Sequence, residues 1–298
     1  MRFSKSIFIT IMVFTSGILK SEVNIIEYRG WNNCYQLKNK NCEVVICPEA
    51  GGRVLKYALK GKNAIYDNPE FDGKLLADFQ AERSLWPDGG RFDIGAESIP
   101  GKLHDQIYMG KWSAIVTGSL SVKITCPIPN EMGIEVTREF ILSSKATKLQ
   151  VNQTMKNITD SVIRRHFWDR IFCPAGGIVT LPVDKKSVQK NGYRLMNDTT
   201  VDLSKRLSIS AGNLQFKTIE PTIKMGTDSR KGWMTYLQND LLISMYFDIN
   251  KKGDYSDTAN NTTIFYTNGI VIELEPVSPT YQLLPNEKVY FRQTWELN

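Results

Sequence analysis

The chain has 298 residues, a formal charge of +6 and 42% hydrophobic residues. Arg2, Lys5 and Lys20 supply three of those charges, and no Lys/Arg block follows them. This balance excludes a nucleic-acid-binding role, which needs a basic patch or stripe, and the apolar share excludes a disordered chain.

The N-terminus reads as a targeting segment. Arg2 and Lys5 precede an apolar run over residues 7–14, followed by Ser16, Gly17 and Ser21. A basic segment, a short apolar segment and small residues are the three parts of a secretory signal. Residues 1–21 are therefore expected to be a signal peptide, and the protein to be exported, to the periplasm or beyond. The run is well short of the roughly 20 residues that span a bilayer. No membrane association is expected once the signal is removed.

Residues 22–298 are expected to form one domain, because no linker-like composition break or internal repeat divides them. Five cysteines remain, Cys34, Cys42, Cys47, Cys126 and Cys173. The odd number leaves at least one unpaired within the chain. Cys34 and Cys42 flank the polar stretch Lys38, Asn39, Lys40 and Asn41. Two readings stand side by side: a hairpin disulfide between those two, or five buried thiols. No CxxC pair and no His/Cys cluster is present, so no metal site is expected.

Strand follows strand through the body. Ile134, Val136, Phe140 and Leu142 alternate with mostly polar neighbours, as do Leu149, Val151 and Met155 after the turn at 143–146. This period of two marks half-buried strands. A further strand is expected over 162–172. Gln238, Asn239 and Asp240, and later Thr267, Asn268 and Gly269, each separate two β-rich runs and predict hairpins. Val289, Phe291, Trp295 and Leu297 alternate in the last strand. The predicted fold is all-β, a large antiparallel β-sandwich.

Three segments carry candidate chemistry. The first, 86–97 (WPDGGRFDIGAE), crowds Trp86, Arg91 and Glu97 around paired glycines on an expected loop, where ligand-binding residues often concentrate. The second, 164–170 (RRHFWDR), alternates so that Arg164, His166, Trp168, Arg170 and Phe172 share one face. So polar a face is expected to line a cleft or the surface. Its indole suits the apolar face of a sugar, and its Arg and His side chains can donate to hydroxyls. The third, 270–276 (IVIELEP), puts Glu273 and Glu275 on one face, where mutual repulsion should hold one proton above the ordinary carboxylate range. The alternative for this segment is an exposed edge strand with solvated carboxylates.

The order of features resembles the galactose-mutarotase-like superfamily, which includes the aldose 1-epimerases. The resemblance rests on VVICPEAGGRVLKYALKGKNAIY, on LQVNQTMKNITDSVIRRHFW, and on IVIELEP followed by LLPNEKVYFRQTWEL. Within that superfamily the chain is most similar to a mainly bacterial branch with a GGR or GGH motif and an HFWDR-like segment. The resemblance implies that His166 is a general acid and Glu275, rather than Glu273, a general base acting on a sugar hemiacetal. It implies no metal or organic cofactor. It places Arg91 where the family has a substrate-binding Arg; together with the residues read above, the candidate substrate-binding set is Trp86, Arg91, Glu97, His104, Trp168 and Arg170. Two departures stand out: Asp93-Ile94 follows Arg91 where the family has an Asn-Arg pair, and His104 is not followed by Gly-Gly. They motivate a second reading, a carbohydrate-binding protein of the same fold without catalysis. Under either reading the partner is a carbohydrate; the oligomeric state is left open.

Overall fold

A computed structural model describes residues 22–82, 88–95, 101–197, 202–219 and 222–298. The expected signal peptide, Trp86 and Glu97 lie outside the described residues. Two antiparallel sheets face each other, one of 12 strands and one of 10 among the described residues. This is the expected β-sandwich.

The centre of the larger sheet runs Arg53–Leu59, Gly90–Gly95, Ile163–Pro174, Val271–Pro276, Thr263–Thr267 and Ile223–Thr227. Alternation divides each of these strands between two faces. Phe92, Ile94, Phe167, Ile171, Ile272, Leu274, Phe265 and Met225 turn inward and are fully buried or nearly so. They meet Val136, Phe140, Val151, Met155, Phe291 and Trp295 from the other sheet in a single core cluster. The strands Ile134–Leu142 and Leu149–Asn157 keep the predicted period, burying every second residue. Both predicted hairpins form: Asn239 and Asp240 take positive φ between Trp233–Gln238 and Leu241–Phe247, and Gly269 takes φ 84° before Val271–Pro276.

One polar network interrupts the core. Arg138 is fully buried and donates to the Gln153 side chain and to the carbonyl of Phe92. Asp169, also fully buried, accepts from Gln153 Nε2 at 2.7 Å and from Gln293 Nε2. Burial pushes the Asp169 carboxyl well above its usual range, with Arg138 and the two amides pulling it back. Asp169 sits on the inward face of the very strand whose outward face carries Trp168 and Arg170, so this network pins that strand against the second sheet.

Four expectations need correction. The segment 86–97, expected as a loop, instead carries the strand Gly90–Gly95, every residue of which is buried. The face carrying His166 and Trp168 is neither cleft nor surface at those two residues, which are 0% and 1% exposed. The segment 277–280 covers them: Trp168 bridges Val277, and Ser278 Oγ accepts the Phe167 N–H at 2.9 Å. The Glu273 strand is no exposed edge, since it pairs with Ile163–Pro174 on one side and Thr263–Thr267 on the other. Finally, Cys34 and Cys42 do not meet; they belong to separate core clusters, and all five cysteines are buried.

Candidate functional site

The outward face of the larger sheet bears the site. Strand register brings its parts together across the chain. Arg91 pairs with Arg170, Phe172 with Glu273, Glu273 with Tyr266, and Tyr266 with Lys224. Directly opposed residues put their side chains on the same face about 5 Å apart. Arg91, Arg170, Phe172, Lys224, Tyr266 and Glu273 line a cleft of about 310 Å³.

Charge in the cleft is paired. Arg91 Nε lies 2.9 Å from Asp93 Oδ1, and Arg170 Nε lies 3.3 Å from Asp93 Oδ2 and 3.9 Å from Glu273 Oε2. Arg91 also stacks its guanidinium on Tyr108 and Phe172, 5.0 and 5.3 Å from the ring centroids. Tyr108 comes from the short helix Asp105–Tyr108, and His104 packs behind it at 5.0 Å between rings. His104 is therefore a supporting neighbour of Tyr108 in this arrangement, with 5% of its surface exposed.

Beneath the cleft lies a buried floor. Trp168 Nε1 donates to Glu275 Oε2 at 2.6 Å, and the Arg170 and Lys224 cations sit 4.9 and 4.8 Å from the indole centroid. Lys224 Nζ is 3.9 Å from Glu275 Oε2. Glu275 itself is fully buried.

Glu273 is the carboxyl that faces the cleft, and its pKa is raised to about 7. Burial is the largest cause, the Glu275 charge adds to it, and Arg170 and Arg91 oppose it. A group poised near neutral pH both takes and returns protons.

His166 stands apart from this cleft. It pairs with Gly95 rather than Arg91, four residues along the strand from Arg170, a rise of roughly 13 Å. Its ring is fully buried beside Trp168, 5.7 Å between centroids. Nδ1 lies 3.5 Å from Thr280 Oγ1 and 3.8 Å from Asp257 Oδ2. Burial lowers its pKa to about 4, with Asp257 pulling the other way. The imidazole is neutral at physiological pH.

The structure thus gathers Arg91, Arg170 and Glu273 at the cleft, puts Trp168 and Glu275 under it, and seals His166 beside it. Sequence reasoning noted Asp93 only as a departure from the family's Asn-Arg pair and did not single out Tyr108, Lys224 or Tyr266. Tyr108 arrives on the helix Asp105–Tyr108, and Lys224 and Tyr266 become neighbours of Glu273 only through strand register. Among the described residues, no three His, Cys, Asp or Glu side chains are grouped to hold a metal ion.

No protein-family model matches the chain, and no curated protein matches it. Solved structures do. A candidate aldose 1-epimerase from Escherichia coli K12 superposes with TM-score 0.61 at 11% identity, covering 89% of this chain and 99% of the other. A galactose mutarotase-like protein from Lactobacillus casei gives TM-score 0.61 at 9% identity over 89% and 100% of the two chains. A candidate aldose 1-epimerase from Klebsiella pneumoniae gives 0.61 at 11% identity over 92% and 82%. The fold is galactose-mutarotase-like, as the sequence resemblance implied.

Proposed function

We propose that this protein binds a sugar ring in the cleft over Glu273 and acts on its anomeric centre as an aldose 1-epimerase-type isomerase. The observation that carries this is a carboxyl with pKa about 7 lining an open cleft among two guanidiniums, an ammonium and two aromatic rings. Tyr266 offers apolar surface to a pyranose, and Arg91 and Arg170 donate to its hydroxyls. The Glu273 carboxylate takes the proton of the anomeric hydroxyl, and the Lys224 ammonium across the cleft gives one to the ring oxygen. The ring opens to the aldehyde, which rotates and recloses on its other face, and the two protons return. The fold shared with mutarotase-like neighbours supports a carbohydrate ligand.

Anomer-exchange NMR on a panel of aldoses tests this reading. Wild type should accelerate exchange for at least one sugar, and Glu273→Gln should return the rate to that of buffer. Rates equal to buffer for every sugar would reject catalysis.

One observation favours a second reading, binding without turnover: His166 and Glu275, the implied acid and base, are both fully buried. Calorimetric binding of a sugar whose exchange is not accelerated would select it. Export belongs to either reading. Its support is the basic, apolar and small-residue pattern of residues 1–21. Cell fractionation with amino-terminal sequencing tests it, and a chain retaining Met1 in the cytoplasm would remove it.

A further inference from the structure

We propose that Cys34 and Cys47 form a cross-strand disulfide, closed while the chain folds under oxidising conditions. The register carries the proposal. In the hairpin of Trp31–Lys38 with Cys42–Cys47, Lys38 pairs with Glu43, Leu37 with Val44, Gln36 with Val45 and Tyr35 with Ile46. Continued one residue past the Tyr35–Ile46 rung, the same register would bring Cys34 opposite Cys47. Directly opposed residues of an antiparallel pair have Cα atoms about 4.5–5.5 Å apart, inside the span a disulfide bridges.

Side-chain placement agrees with the rung. Both thiols are completely buried and belong to one core cluster with Trp31, Val45 and Leu55. Each thiol displaces the other's pKa, as neighbouring groups do, and Cys34 Sγ also donates to the Trp31 carbonyl at 3.8 Å. The remaining cysteines are elsewhere: Cys42 lies at the far end of the hairpin against Leu59, Cys126 Sγ faces Ile134 and Val136, and Cys173 faces the main core.

The chemistry of the pair is asymmetric. Cys47 caps the 3-10 turn Pro48–Ala50. Burial opposes its ionisation, but the Cys34 thiol, Arg53 and the backbone N–H groups of Glu49 and Ala50 favour the thiolate and hold its pKa below the usual value. Cys34 is pushed the other way, by the neighbouring Cys47 thiol and by burial. During folding, the Cys47 thiolate attacks a small-molecule disulfide such as oxidised glutathione. One sulfur joins Cys47 and the other leaves as a thiolate. Deprotonated Cys34 then attacks the Cys47 sulfur and releases the second glutathione. Two protein thiols lose two protons and two electrons, and one glutathione disulfide becomes two thiols. Once the cluster closes, the bond is shielded from reductant.

The bond would staple the two strands just before the turn that Arg53 grips through the Ala50 carbonyl. It acts independently of sugar binding.

The test is direct. The full chain is unfolded with reductant, refolded in a glutathione redox buffer, alkylated in denaturant and mapped by peptide mass spectrometry. We expect one linked pair, Cys34–Cys47, lighter by two hydrogens, with Cys42, Cys126 and Cys173 alkylated. Oxidised protein should melt roughly 5 °C or more above reduced protein, and Cys34→Ala should erase that difference. Five alkylated cysteines, a glutathione adduct in place of the link, or a link to any other cysteine would overturn the proposal. The wild-type map decides even if the variant does not fold.

Discussion

Trp168 and Glu275 are joined by a 2.6 Å hydrogen bond from the indole to the carboxylate, and neither side chain reaches solvent. The indole is thus the underside of the cleft, held between Arg170 and Lys224, rather than a platform for sugar. Trp168→Phe removes the N–H and leaves a buried carboxylate oxygen short of its donor. The cost of such an orphaned group is about 2 kcal/mol. We expect denaturant unfolding to register that loss while sugar affinity falls less than in Arg170→Met. Abolished binding with unchanged stability would instead put the indole in contact with the ligand.

Two titrating groups should impose opposite pH slopes on stability. Glu273 has a folded pKa of about 7 against an ordinary 4.5, so the folded state binds more protons than the unfolded one between those values. Its contribution is present below pH 4.5 and is lost as pH rises to 7, by about 3 kcal/mol. His166 has a folded pKa of about 4 against an ordinary 6.5, so the unfolded state binds more protons in that window. Its contribution grows by about 3 kcal/mol as pH rises from 4 to 6.5. The two offset each other in the wild type. The stability of Glu273→Gln relative to wild type should therefore rise with pH across 4.5–7. That of His166→Gln should fall across 4–6.5. Unfolding free energies at closely spaced pH values check both signs, and a flat difference curve for either variant contradicts its assignment.

The sandwich was legible because strands announce themselves locally. Ile134 to Leu142 and Leu149 to Met155 alternate within a few residues, and Asn239, Asp240 and Gly269 supply the positive φ their turns require. Faces were legible for the same reason: Trp168 and Arg170 do share one side of their strand, as do Glu273 and Glu275. What covers a face was not legible. His166 and Trp168 are sealed by Val277, Ser278 and Thr280, which lie more than a hundred residues away in the chain. Lys224 and Tyr266 escaped notice because nothing local distinguishes them. They enter the cleft through three successive strand pairings, and register between distant strands leaves no mark in a single sequence.

The approach to Arg91 is held by a buried ion network. Arg53 is fully buried and donates to the Asp88 backbone carbonyl at 2.9 Å and to Asp88 Oδ1 at 2.8 Å. Asp88 Oδ2 accepts from Arg29 Nη2 at 2.7 Å and from the Asn68 N–H at 2.6 Å. One carboxylate thereby fixes three chain segments immediately before Gly89, whose φ of 81° turns the chain into the Gly90–Gly95 strand. Asp88→Ala strands the Arg53 guanidinium in a dry interior. Breaking a buried pair in this way costs about 3–5 kcal/mol. We expect that loss in thermal or denaturant unfolding, with a larger fall in sugar affinity than the surface pair Arg292–Asp248 produces when broken. Equal effects at the two sites would mean that Asp88 does not position Arg91.

Gly95 is the counterpart of His166 on the neighbouring strand, and the two leave no room for a methyl group. A Cβ at Gly95 would lie 1.9 Å from His166 Nε2 and 2.1 Å from Cε1. The ring has little freedom to retreat, with Thr280 Oγ1 at 3.5 Å from Nδ1 and the Trp168 ring 5.7 Å away, tilted against it. Gly95→Ala should therefore cost about 2–3 kcal/mol through overpacking. The cause is contact with one ring, so the penalty should vanish when that ring is absent. In a His166→Ala background the Gly95 methyl enters vacated space, and the double variant should be no less stable than His166→Ala alone. A double-mutant cycle by denaturant unfolding measures this, with an expected coupling of about 2 kcal/mol. Additive losses would mean that Gly95 is required by the backbone and not by the imidazole.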